Sequence, residues 1–365
     1  MMEKAKISAY QLFTLILLFE LGTAIVSLGS VAKQDAWLAV LIGMAGGFCL
    51  FFMYYGIYRY YPDIPLTEYV QRILGSVLGR IIAFLYVLYF VYMAARILRD
   101  FGEMLGVIAY PATPLFVLNA LLLLVVVYTV YKGIEVLSRT GELLFVLMFL
   151  LAASGFLLII LSGNMDIANL KPVLKEGLSP VIKTAFTQTL YIPFGEFIVF
   201  TMIFPYVNER EKVKRTGLWA MGISGVALAL IMAVNISTLG VGLTARSQFP
   251  LLTTMQRIEM AEFLERLDIY FILFAIIGIF LKVSIHFYAA VMAVSHLFHV
   301  KHPSHLAYPM GMVVLLMSMA IASNYPEHIQ ERLKIIPLYV LLPLQVVVPA
   351  LLLIIAFFKN RKKAA

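Results

Sequence analysis

The chain has 365 residues, of which 62% are hydrophobic and 13% charged. That composition excludes a pair of soluble domains, which would need far more polar surface, and indicates a polytopic helical membrane protein. The formal charge of +8 is no nucleic-acid signature, because the basic residues lie between apolar stretches and form no stripe with interleaved aromatics.

The opening MMEKAKISAYQ runs into an apolar stretch without a small-residue cleavage pattern, so it reads as retained. Ten stretches are long enough to span roughly 30 Å of hydrocarbon. They lie at about 8–30, 36–58, 78–98, 113–131, 141–162, 184–206, 216–242, 267–297, 306–323 and 336–358. The REKVKR loop at Arg210–Arg215 and the KNRKK tail at Lys359–Lys363 place both termini on the cytoplasmic side. Three connections have their own character: an amphipathic inner helix over 61–80, a Pro- and Gly-marked outer connection over 163–183, and a charged outer helix over 244–266. His296, His299, His302 and His305 suggest a metal site by spacing. Pro303 interrupts the helix that would align them, however, and they read as an inner loop.

The sixth stretch holds Pro193, Gly195 and Glu196 close together at its middle. Pro lacks a donor, Gly resists helix and a carboxylate is costly in lipid, so the cluster predicts an interrupted helix lining a polar cavity. The first stretch has a similar cluster, Glu20, Gly22 and Thr23. Two such breaks five stretches apart predict a five-plus-five inverted repeat. The expected fold is therefore a single all-α membrane domain over 1–365 with the LeuT-like architecture. Repeat one covers about 8–162 and repeat two about 184–358.

Several motifs carry a family resemblance. They include KQDAW at Lys33–Trp37, YPDIPLTEYV at Tyr61–Val70, RILRDFGEML at Arg96–Leu105, YKGIEVLSRTGEL at Tyr131–Leu143 and PFGEFIVFTMIFPYVNE at Pro193–Glu209. With these the chain resembles the spore-germination permease family, the B subunits of nutrient germinant receptors within the amino acid–polyamine–organocation superfamily. The family often has a Pro after the first break, where this chain has Leu28-Gly29-Ser30. The resemblance implies recognition of a small germinant, often an L-amino acid, rather than catalysis. It also implies an A-type membrane subunit and a C-type lipoprotein as partners, in the inner membrane of the spore. No cofactor is implied, and no nucleotide loop, nucleophile elbow or metal motif stands in a plausible context.

A zwitterion needs donors for its carboxylate and acceptors for its ammonium within one cavity. Gly22, Thr23 and Ala24 are the candidate carboxylate binders. Tyr191, Phe194, Gly195 and Glu196 are candidates for the amine side and the side-chain pocket, and Tyr86 and Tyr89 for one wall. Tyr86 and Tyr89 belong to a Tyr86, Tyr89, Tyr92, Met93 stripe that equally suits packing. Glu20 reads as a cation partner, a proton acceptor or a protonated donor. Lys282 stands out as a basic residue central to a span. In related folds the first and eighth segments form a sodium site, where a lysine near Ser284 would replace the ion's charge. The other reading of Lys282 is a salt bridge to Glu20 or Glu196. His286, one turn on, reads as a proton relay or a satisfied core histidine. An autonomous proton-coupled amino-acid transporter is the main rival to a receptor subunit, and an ion- or water-conducting subunit is a third reading.

Overall fold

The computed structural model describes residues 6–258 and 268–364. The capping box Ser8/Gln11 starts α1, Ala9–Leu21, which ends at a single 3-10 turn, Gly22–Ile25. Val26 is extended, and a turn at Leu28-Gly29, with Gly29 at φ 65°, leads into a second 3-10 segment, Ser30–Asp35, and then α2, Ala36–Tyr60. The first apolar stretch is thus a broken helix, as its Gly22-Thr23 centre predicts.

The short α3, Leu66–Leu74, buries Leu66, Tyr69, Val70 and Ile73. Gly75, at φ 86°, turns the chain into α4, Ser76–Ile108. The expected amphipathic helix over 61–80 is therefore shorter, and its last residues belong to α4. At 1.5 Å per residue α4 is about 50 Å long, so roughly a third of it exceeds a 30 Å hydrocarbon layer. Then follow α5, Leu115–Tyr131, and α6, Ile134–Leu161. The outer connection holds a 3-10 turn, Ile167–Leu170, and is tied down by the KQDAW motif: Asp35 accepts from the Leu174 amide at 3.0 Å and Gln34 donates to the Pro172 carbonyl at 3.3 Å.

The second broken stretch begins as α7, Leu178–Thr184, widens to a π-turn over Ala185–Thr189, and continues past Pro193 as a 3-10 helix, Phe194–Met202. The ladder across the break uses long bonds, with the Gly195 amide on the Leu190 carbonyl and the Glu196 amide on the Tyr191 carbonyl. Then come α8, Val213–Arg246, which holds Gly240 at φ 72°, α9, Pro250–Gln256, and α10, Asp268–Phe298. The outer helix expected over 244–266 falls partly outside the described residues, and α9 is its described part.

The last elements are α11, Ala307–Ala320, α12, Tyr325–Lys334, a π-segment Pro337–Val347 and α13, Val348–Ala364. Sequence reading did not anticipate the π-segment. Pro343 lies inside it, and Tyr54 and Tyr86 donate to its Gln345 and Leu344 carbonyls at 2.6 and 2.8 Å. Among the described residues six helices are long and apolar enough to cross a bilayer, and Ala9–Ile25 and Leu115–Tyr131 are shorter apolar helices. The count falls short of ten stretches because breaks divide the first and the sixth, while α5 and α11 are unbroken but short, at 17 and 14 residues. Among the described residues the only strand-like pairing is a bridge between Ile7 and Val207, which ties the start of α1 to the end of the second broken stretch.

Candidate functional site

The site begins with two glycines. A Cβ on Gly22 would lie 2.7 Å from the Gly278 carbonyl oxygen, and one on Gly278 would lie 2.5 Å from the Gly22 Cα. Only two glycines allow the end of α1 to touch the backbone of α10 so closely. One helical turn beyond Gly278, Lys282 reaches back into the first break and donates to the Thr23 hydroxyl. Its ammonium also lies 2.6 Å from a Glu196 carboxylate oxygen, an ion pair rather than a well-directed hydrogen bond, and 5.0 Å over the Phe19 ring. Lys282 thus joins α10 to both breaks. Its side chain is 5% exposed and that of Glu196 2%, so each charge depends on the other for compensation.

The remaining expected residues divide into two groups. Gly22, Thr23, Glu196 and Lys282 line one narrow cavity with Ile25, Val26, Met93, Arg96, Ile97, Asp100, Ile192 and Arg332. Ala24, Tyr191, Phe194 and Gly195 are buried beside it without lining it. A Cβ on Gly195 would meet the Gln345 side-chain oxygen at 2.2 Å, so this glycine makes room for the π-segment. Tyr86 and Tyr89, expected in the wall, instead hold the π-segment: Tyr86 bonds the Leu344 carbonyl, and Tyr89 accepts from the Gln345 amide at 2.9 Å. Their hydroxyls are drawn to the polar groups that the irregular backbone brings within reach.

Glu20 turns towards α8, where the Ser224 hydroxyl donates to it. Ser284, expected near the Lys282 ammonium, is buried with no hydrogen-bond partner for its hydroxyl, and Lys282 reaches Thr23 instead. His286 donates Nδ1–H to the Lys282 carbonyl at 3.0 Å and packs its ring on Phe19, centroids 5.2 Å apart. That arrangement is a packed imidazole on the helix that carries Lys282.

Sequence reading missed a second polar cluster. Arg96 and Asp100 lie buried on α4, either side of the end expected for the third stretch, and α12 covers them. Arg332 and His328 both bond Asp100, His328 Nε2 at 3.0 Å. Arg96 donates to the His328 carbonyl at 2.6 Å and to the Tyr92 hydroxyl at 2.9 Å. Burial pulls the His328 imidazole below its usual pKa, which favours a neutral ring donating to Asp100. The i, i+4 pairs Arg96/Asp100 and Arg99/Glu103 were the available signal, since both continue a helical face past the apolar run.

The cavity holds about 30 Å³. A water needs roughly 10–15 Å³ on this measure, so there is room for two or so and not for an amino acid. A larger groove of about 330 Å³ between α1, α6 and α8 is almost wholly apolar and suits lipid tails rather than a polar ligand.

Two helix breaks facing each other across a buried ion pair, in an all-helical membrane bundle, define a protein of the LeuT-like transporter fold. Mhp1, a nucleobase-cation-symport-1 family transporter solved in a closed conformation with bromovinylhydantoin bound, has the same fold: TM-score 0.64 at 12% identity, over 96% of this chain and 92% of Mhp1. The chain belongs to the spore germination protein family, whose profile matches residues 6–326. It is 53% identical over 363 residues to Spore germination protein KB of Bacillus subtilis (strain 168), covering 99% of this chain and 97% of the relative. Spore germination protein YndE of the same organism is 26% identical over 366 residues, covering 98% of each.

Proposed function

We propose that this protein is the permease-like subunit of a nutrient germinant receptor and senses a small zwitterion, an L-amino acid, between its two helix breaks. The observation that carries this reading is the Lys282–Glu196 pair, an ammonium and a carboxylate side by side in a narrow cavity. A zwitterion has the same two charges. Its ammonium replaces Lys282 on Glu196 and its carboxylate takes the Lys282 ammonium, with Thr23 and the 3-10 turn at Gly22–Ala24 alongside. Each buried charge keeps a partner throughout, so the exchange avoids the several kcal/mol that an unpaired buried ion would cost. Tyr191, Phe194 and Gly195 shape the space for the ligand side chain as the cavity widens.

In this reading the chain works in the inner membrane of the spore with both termini cytoplasmic. It acts beside an A-type membrane subunit and a C-type lipoprotein, and binding is a signal rather than a transport step. The test uses the purified chain in lipid nanodiscs and in proteoliposomes, with radiolabelled L-amino acids. Saturable binding without uptake is expected, and Glu196→Gln should weaken affinity by about tenfold or more, as loss of one partner of a buried charge pair does. Robust pH-driven uptake would replace this reading with a proton-coupled transporter. Absence of binding to any amino acid would overturn it.

A further inference from the structure

Two cavities adjoin each other. The inner one is the narrow space of about 30 Å³ at the ion pair. The other, a vestibule of about 550 Å³, is lined by Arg246, Arg332 and the amides Gln188, Gln248 and Gln330, and no carboxylate is among its lining residues. Val26, Ile192 and Arg332 line both spaces. Anything passing from the vestibule to the ion pair must therefore displace these three.

Val26 and Ile192 are apolar side chains on the two breaks, and Arg332 is fastened. α12, which carries Arg332, is begun by an Asn324 cap that accepts from the Glu327 amide at 3.0 Å, with the Glu327 carboxylate accepting in return from the Ser323 amide at 2.8 Å. This short helix is held to α4 by the bonds from Arg332 and His328 to Asp100 and from Arg96 to the His328 carbonyl. A strap that borders both cavities, clasped through Asp100 and more loosely through Glu331, 4.0 Å from Arg96, has the construction of a gate.

We infer that the vestibule is a docking site for the carboxylate of a small molecule, and that Arg332 is both its receptor and the gate to the inner cavity. An arriving carboxylate exchanges with Asp100 on the Arg332 guanidinium. Both before and after the exchange the guanidinium has a carboxylate partner. Asp100 keeps the hydrogen bond from the neutral His328 ring, 3.0 Å long in the clasped state, and the positive charge of Arg96 one turn earlier on α4. Arg332 then turns outward with the ligand and opens the way between Val26 and Ile192. Recognition at this site needs only a carboxylate, so it stands whether or not the inner cavity discriminates amino acids.

The experiment needs no identified ligand. Met93 lines the inner cavity and Gln330 the vestibule, and Cys49 is the native cysteine. In a Cys49→Ser chain in nanodiscs, Met93→Cys and Gln330→Cys are each reacted with two thiosulfonate reagents of similar size, one carrying a sulfonate and one a quaternary ammonium. The sulfonate reagent should react faster than the ammonium reagent at both positions. Asp100→Asn should raise the Met93→Cys rate about tenfold or more, as release of a buried ionic latch does, and leave Gln330→Cys unchanged. Arg332→Gln should also raise the Met93→Cys rate but reduce the preference for the sulfonate reagent. It cuts the same latch from the other side and carries the test if Asp100→Asn does not fold. Met93→Cys rates unaltered in a folded latch variant, or equal rates for the two reagents at Gln330→Cys, would overturn the proposal.

Discussion

At the residue scale, Lys282 is the group on which the site depends. It contacts Thr23, Glu196 and Phe19, and Gly278 one turn earlier lets α10 come close enough for it to do so. Lys282→Met leaves the Glu196 carboxylate buried without its cation, so a loss of about 3–5 kcal/mol is expected. The double variant Lys282→Met/Glu196→Gln removes both charges and should recover most of that loss. Thermal unfolding of the four proteins in one detergent measures the coupling; equal losses in the single and double variants would show that the pair does not carry the energy. Both charges were visible as anomalies in apolar stretches. Their pairing was one of two partners open to Lys282, because Glu20 and Glu196 are equally out of place by composition. Ser224 on α8 decides between them by taking Glu20.

At the element scale, the breaks and the π-segment differ in how far the sequence announces them. Gly22 and the Pro193–Glu196 cluster disturb the helical pattern locally, and the chain breaks at both. The π-segment Pro337–Val347 carries Pro337 and Pro343 but no charge, and reads in sequence as an ordinary span. It is held from outside by Tyr54 and Tyr86. Replacing both with Phe removes two bonds to carbonyls that have no water to turn to, at about 0.5–1.5 kcal/mol each. Hydrogen exchange within 337–347 should quicken by roughly tenfold or more in the double variant, with exchange in α10 unchanged. Uniform quickening across the bundle would instead mean a global loss of stability. Tyr86 and Tyr89 illustrate the limit of pattern reading. Their helical spacing shows that they share a face, and only the neighbouring backbone shows that the face meets the π-segment rather than the cavity.

At the scale of the whole molecule, both ends of the chain lie on one face. Ile7 pairs with Val207; Arg210, just beyond, meets Asp63 at 2.6 Å; and Tyr61 meets Asn360 at 3.3 Å. Tags at the two ends are therefore expected on the same side of the membrane: protease added to sealed vesicles of uniform orientation should remove both or neither. Removal of one alone would contradict the arrangement. The vestibule opens among the residues after the first break, 26–30, and before the second, 188–192, and beside α12. The space on the vestibule side is thus wide and that at the ion pair, about 30 Å³, is narrow, with Arg332 lining both, the arrangement that a gate at Arg332 requires.

The sequence by itself determined the membrane class, the two breaks, the family resemblance and the identity of the unusual charges. Each of these is local: an apolar run, a Gly or Pro in that run, or a carboxylate within it is costly wherever the chain goes, so it marks its own position. Only the tertiary structure decided which charges meet. The Lys282–Glu196 pair joins residues 86 positions apart, and the Arg332–Asp100 clasp joins residues 232 apart. Such partnerships depend on the packing of α10 against the first break and of α12 against α4, and no local preference encodes them. The narrow cavity at the ion pair is a property of the same packing, since its walls come from five separate stretches of chain that become neighbours only in the folded bundle.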